Sequence, residues 1–177
     1  MTLAHHNTRE KIFMKISGLI QDSIVDGPGL RFTVFVQGCE RKCEGCHNPA
    51  TWDINGGTEI SVEEVISQMR SNPLTDGLTI SGGEPFLQAE GCTKLAVAAQ
   101  ESGLNVWVYS GYTFEQLAEL SKTDQNISEL LKVTDILVDG AFLQSERTLT
   151  LKWRGSKNQR IIDVKESLIA GKVVQIQ

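Results

Sequence analysis

The sequence has no run of about eighteen apolar residues, so it offers no candidate membrane span. It also lacks a basic excess: 17 Lys and Arg stand against 22 Asp and Glu, a net charge of -5. A protein held to nucleic acid by phosphate contacts carries a basic stripe, so no nucleic-acid partner is expected. Cysteine is sparse, with four residues in 177, whereas a secreted disulfide scaffold is smaller and richer in cysteine. There is no internal repeat, low-complexity segment or interdomain linker. A single domain over residues 1–177 is expected, long enough for a real core and too short for two ordinary ones. Residues 1–10 are polar and lack the apolar centre of a signal peptide. They read as a mobile tail in which His5 and His6 have no role. Without a secretion signal the expected compartment is the reducing cytoplasm, where a tight cysteine cluster points to metal or redox chemistry.

What is present alternates between strand and helix patterns. Residues 11–20 read as a first strand, followed by the turn Asp26-Gly27-Pro28-Gly29. Residues 30–37, dense in β-branched and aromatic side chains, read as a buried strand. Ser61 and Glu64 have capping-box spacing ahead of the apolar stripe Val62, Val65, Ile66 and Met69, which predicts a helix. Residues 77–81 form a short strand leading into Gly82-Gly83-Glu84-Pro85. A helix is predicted over 86–101, stopped at Gly103. Strands at 105–109 and 134–138 flank two further helices, one capped by Thr113 and Gln116 and one over 127–132. Two final strands are expected near 161–164 and 172–176. Alternating βα units imply right-handed crossovers and a mainly parallel sheet of five or six strands. A complete eight-fold barrel needs about 250 residues, so the expectation is an α/β fold with a partial, open β/α barrel.

Three of the cysteines lie within eight residues, Cys39-Glu40-Arg41-Lys42-Cys43-Glu44-Gly45-Cys46, directly after a predicted strand. Thiolates are soft ligands suited to iron–sulfur clusters. Three on one loop fill three corners of a cubane and leave its fourth iron open, as a catalytic metal requires. The alternative is a structural zinc knuckle completed by His47 or Cys92. His47 adjoins Cys46, and neighbouring side chains rarely reach one tetrahedral ion together. Cys92 falls inside a predicted helix and reads as a small buried hydrophobe.

Other strand ends carry candidate ligand contacts. At Gly82-Gly83-Glu84 two glycines permit close backbone approach, and the glutamate offers charge for an ammonium group. Ser110-Gly111-Tyr112 and Asp139 are placed to line the same mouth, although Asp139-Gly140 is also ordinary turn chemistry. Arg41 and Lys42 read as solvated charges or as a docking point for an acidic donor. Arg154 to Arg160 reads as a basic surface turn, or as a contact to the partner or to a cofactor carboxylate.

The CxxxCxxC spacing after a strand, followed by Gly82-Gly83-Glu84, resembles the radical S-adenosylmethionine superfamily. Three stretches narrow the resemblance to its glycyl-radical activating enzymes: Val25-Asp26-Gly27-Pro28-Gly29-Leu30-Arg31, Val36-Gln37-Gly38-Cys39 and Cys46-His47-Asn48-Pro49. Val106 to Tyr112 and Trp153 to Arg160 resemble the branch that activates anaerobic ribonucleoside-triphosphate reductase. The resemblance spans about residues 16–164. It implies a [4Fe-4S] cluster on Cys39, Cys43 and Cys46. It also implies S-adenosylmethionine held by Gly82, Gly83 and Glu84 at its amino group, with Ser110 and Asp139 at ribose or carboxylate. Many members place an aromatic residue before the third cysteine, against the adenine. Here Gly45 stands there, so Gly45, Cys46 and His47 are the candidate adenine contacts. The implied reaction is reductive cleavage to a 5′-deoxyadenosyl radical that takes hydrogen from a glycine of the reductase large subunit. A one-electron donor such as flavodoxin is the implied reductant. Activation of pyruvate formate-lyase, or chemistry on a small molecule, is the alternative within the superfamily.

Overall fold

A computed structural model describes residues 11–176. The tail expected at 1–10 lies outside the described residues. Seven strands build one sheet: β1 (Phe13–Ser23), β2 (Arg31–Val36), β3 (Thr58–Ser61), β4 (Gly77–Gly82), β5 (Asn105–Tyr109), β6 (Ile136–Asp139) and β7 (Arg160–Asp163). Their order is β3-β1-β2-β4-β5-β6-β7. The central strands β2, β4, β5 and β6 are parallel. The edges are antiparallel, with β1 and β3 on one side and β7 on the other. The end strands β3 and β7 do not pair, so the sheet is open. A mainly parallel centre agrees with the sequence reading; of the antiparallel edge strands, β3 is the one that reading did not include.

Five α-helices accompany the sheet: α1 (Val62–Met69), α2 (Ala89–Glu101), α3 (Phe114–Leu120), α4 (Gln125–Val133) and α5 (Val164–Ala170). From β2 to β6 the order advances in one direction, and right-handed crossovers then place α1 to α4 on the same face, to whose core α5 adds Val164. Strand alternation follows this one-sidedness. Phe32, Val34 and Val36 of β2, Leu78 and Ile80 of β4, Val106 and Val108 of β5 and Leu137 of β6 point to the helices and form the main core. Trp107, Val138 and Ile161 point the other way, with Tyr109 and Trp153 packed on them. The helix-free face also holds buried Arg31, Thr33 and Thr79. Arg31 donates to the Leu78 carbonyl, to Thr79 Oγ1 and to Asn105 Oδ1, and burial lowers its pKa to about 10.

The predicted caps are formed. Ser61 accepts from the Glu64 amide at the start of α1, and Thr113 and Gln116 make a full capping box at α3. Residues 85–88 are a 3-10 turn rather than the first turn of α2. Two expectations near the C-terminus need correction. Val164 begins a helix, because Asp163 caps it by accepting from the Glu166 amide. Residues 172–176 contribute one bridge, Ile162 to Gln175, rather than a strand. Gly171 sits at φ +64 and ends α5, which turns the chain too sharply to continue a ladder.

The corner where β6 meets β7 is held by charge. Arg160 pairs with Asp139, 1% exposed at its side chain, at 2.5 Å, and with Glu115 of α3 at 2.7 Å. Removing the cation leaves a buried carboxylate uncompensated, so Arg160→Met is expected to lower stability by about 3–5 kcal/mol, read from urea unfolding at pH 7. The hydrogen bond from Arg160 also lowers the Glu115 pKa from 4.5 to about 2. A carboxyl depressed on folding stabilises above its unfolded value and loses that contribution as pH falls. The gap between wild type and Arg160→Met therefore narrows as pH drops from about 4.5 to about 2; a gap independent of pH would contradict the pairing.

Candidate functional site

The parallel strands end at a common edge, and the cysteine loop leaves from the end of β2. Its base is closed by main-chain bonds from the Gly38 amide to Thr51 O and from the Cys39 amide to Trp52 O. Buried Gln37 clamps the far limb, donating through Nε2 to Ala50 O and Asp53 O. Inside the loop the chain turns tightly, with Lys42 at φ +46 and Gly45 at φ +71. The Cys46 amide donates to Cys43 O, and the Asn48 amide donates to Cys46 Sγ at 3.4 Å. Cys39, Cys43 and Cys46 are free and half-buried. Burial raises the Cys39 pKa, with the Glu84 carboxylate adding to the rise.

The turn after β4 lies directly against this base. The Gly83 amide donates to Val36 O and the Glu84 amide to Gly38 O, each at 2.8 Å. A Cβ on Gly83 would collide with Gly38 O, and Gly82, at φ +97, would place one 2.7 Å from the Phe35 backbone. The two glycines are thus required first by contact with β2, the strand that carries the cysteines. Glu84 is 2% exposed. Its Oε1 accepts from the Phe86 amide at 3.2 Å and from Ser110 Oγ at 2.9 Å. Its Oε2 accepts from the Gly111 amide at 2.9 Å. Burial raises the Glu84 pKa, and these bonds oppose the rise. One carboxylate therefore joins the turns that follow β4 and β5.

These turns enclose a cavity of about 160 Å³ lined by all three clustered cysteines together with His47, Gly82, Gly83 and Ser110. Larger hollows exist, one of about 690 Å³ between α1 and α2, but none of them gathers the three thiols. Gly45 faces Gln144 rather than the cavity. His47 packs its ring 5.1 Å from Phe142. Asp139 does not line the cavity: its oxygens take the Phe114 amide and the Arg160 guanidinium, and its neighbour Gly140 lines the wall instead. The Asp26 to Gly29 turn precedes β2 and lies at the opposite end of that strand from Cys39. Sequence reasoning missed Tyr109, Phe142, Gly155 and Gln159 as lining residues. Gln159 stitches the 140–159 segment together, donating to Gly140 O and accepting from the Gly155 and Ser156 amides. That part of the basic segment is therefore a wall of the cavity rather than a plain surface turn.

The donor set fits an iron–sulfur cluster. Three soft thiols share one cavity, and an amide already donates to one sulfur, the kind of contact that tunes such clusters. Cys92 is fully buried in α2 among Leu95, Ala96 and other core residues, and burial raises its thiol to about 12. In metal-free protein at pH 8, a thiol-exchanging probe is expected to label three cysteines rapidly and Cys92 only on unfolding. Four equally fast thiols would contradict this burial.

Comparison with known proteins agrees with this geometry. Residues 25–162 match the family described as 4Fe-4S single cluster domain. The anaerobic ribonucleoside-triphosphate reductase-activating protein of Vibrio cholerae is 37% identical over 146 residues, covering 78% of this chain and 90% of that protein. The protein of the same name from Enterobacteria phage T4 is 38% identical over 144 residues, covering 77% of this chain and 86% of that protein. The pyruvate formate-lyase-activating enzyme of Listeria monocytogenes is 37% identical over 146 residues, 78% of this chain and 57% of that enzyme. The chain belongs to the 4Fe-4S single-cluster family, among relatives that include the anaerobic ribonucleoside-triphosphate reductase-activating proteins.

Proposed function

We propose that the chain is the glycyl-radical activase of an anaerobic ribonucleoside-triphosphate reductase, a radical S-adenosylmethionine enzyme built as one domain on a partial β/α barrel. The observation that carries the reading is the meeting of Cys39, Cys43 and Cys46 with Gly82-Gly83 in one cavity at the strand ends, in a chain related to reductase-activating proteins of bacteria and a phage. When bound, a [4Fe-4S] cluster supplies the electron that splits S-adenosylmethionine to a 5′-deoxyadenosyl radical, which takes hydrogen from a glycine of the reductase.

The chain's own residues bind, orient and shield. Cys39, Cys43 and Cys46 hold the cluster. The backbone of Gly82 and Gly83 receives the amino group of the cofactor, with the carboxylate of Glu84 behind it as a compensating charge. Ser110 fixes that carboxylate and faces the ribose. Gly45, Cys46 and His47 form the adenine side, where the His47 ring backed by Phe142 substitutes for the aromatic residue that Gly45 replaces. Asp139 supports the wall through Arg160 and makes no proposed contact. The helix-free face of the open sheet leaves room for a protein loop to reach the cavity.

A small one-electron donor such as flavodoxin is the proposed reductant. A shallow hollow bordered by Glu40, Lys42, Trp52 and Ile54 reaches Cys39 from outside the loop, which supports electron entry there. Uncrosslinked thiols suit a cytoplasmic location, and among the described residues no helix is long and apolar enough to cross a membrane.

The test is anaerobic incubation of the cluster-loaded protein with S-adenosylmethionine, a reductant and the reductase large subunit. A glycyl-radical doublet in the electron paramagnetic resonance spectrum, lost when the target glycine is replaced by alanine, is expected. A doublet formed on pyruvate formate-lyase and not on the reductase moves the assignment to the activity named for the Listeria relative.

A further inference from the structure

One cation in the cavity wall has no role in this reading. Arg41 lies inside the cysteine loop and lines the cavity beside the three thiols. It is not a freely solvated charge. Its guanidinium lies over the Tyr112 ring, 4.1 Å from the centroid. Its Nη2 donates to Gln116 Oε1 at 3.3 Å. Its aliphatic stem rests on the Gly111 backbone, where any Cβ would strike Cδ. A loop residue is thereby held by three residues of the β5–α3 connection and the following helix.

This fixed side chain is incompletely paired. Arg41 Nε is buried and has no hydrogen-bond partner among the described residues, a costly state for a charged donor unless a ligand completes it. Among the described residues no carboxylate stands within ion-pair distance of it. Glu84, the acid of the neighbouring turn, is engaged by Ser110, Gly111 and Phe86. Arg160 is committed to Asp139 and Glu115; Arg154 donates to Gln159 O and has an Nε equally unpartnered among the described residues, but it does not line the cavity. Stacking on an aromatic face leaves the in-plane N–H groups of a guanidinium free to meet a carboxylate, a geometry that lysine cannot offer.

We propose that Arg41 is the carboxylate-binding residue for the methionyl end of S-adenosylmethionine, lining the same cavity as the Gly83–Glu84 site for the amino group. The proposal rests on the activase reading. A zwitterion needs charges of both signs held apart, and the Gly111 backbone, which touches both Arg41 and Glu84, keeps them apart.

The test compares S-adenosylmethionine with its decarboxylated analogue, by equilibrium dialysis against anaerobically reconstituted protein of verified iron and sulfide content. Arg41→Met is expected to weaken S-adenosylmethionine binding by about tenfold to a hundredfold, the loss of one charge-assisted contact, while changing the analogue by less than about twofold. Arg41→Lys restores part of the loss. Equal weakening of both ligands, or no change in either, overturns the role of Arg41 while wild-type binding stands. Wild-type protein that carries its cluster and binds neither ligand overturns the activase reading, and this inference with it.

Discussion

The cavity depends on how closely the turn after β4 lies against the end of β2. The Gly83 and Glu84 amides reach the carbonyls of Val36 and Gly38, and no side chain fits between them. This contact brings the candidate cofactor turn to the base of the cysteine loop. It also buries Glu84, whose carboxylate then gathers Ser110, Gly111 and Phe86. A buried carboxylate without those donors would be costly; with them it fixes two strand-end turns in one arrangement. The third wall follows from β6, where the Asp139–Arg160 pair holds the corner from which the 140–159 segment folds back over the opening.

Much of this was legible in the sequence wherever local rules decide structure. The strand over 105–109, the Thr113–Gln116 box and the chemistry of Cys39, Cys43 and Cys46 depend on neighbours in the chain. Cys92 as a core residue was readable from the apolar pattern of α2. The parts that were not legible depend on partners distant in sequence. β3 is an exposed edge with one apolar residue, made a strand by β1. Asp139 carries the same turn signal whether it faces a ligand or an arginine twenty-one positions later. Phe142 shows no motif, and Gln159 lies in a stretch whose role the sequence left open; only the folding of their segment brings them to the wall. Arg41 read as a surface charge because nothing in a loop sequence announces stacking on Tyr112.

The two faces of the sheet divide the labour. Helices seal one face with a continuous apolar core. The other carries Arg31, Thr33, Thr79 and Trp107, buried beneath a small cluster in which Trp153 meets Trp107 at 5.3 Å. Among the described residues Thr33 Oγ1 has no partner there.

The central claim is that Cys39, Cys43 and Cys46 hold one four-iron cluster and that Cys92 has no part in it. Iron and acid-labile sulfide, measured on protein purified and reconstituted without oxygen, test it most directly. The account predicts about four irons and four sulfides per chain, the stoichiometry of a [4Fe-4S] cluster, lost on replacing any of the three clustered cysteines by alanine and kept in Cys92→Ala. Stoichiometric zinc without iron after reconstitution, or loss of the cluster in Cys92→Ala with the fold intact, would contradict it.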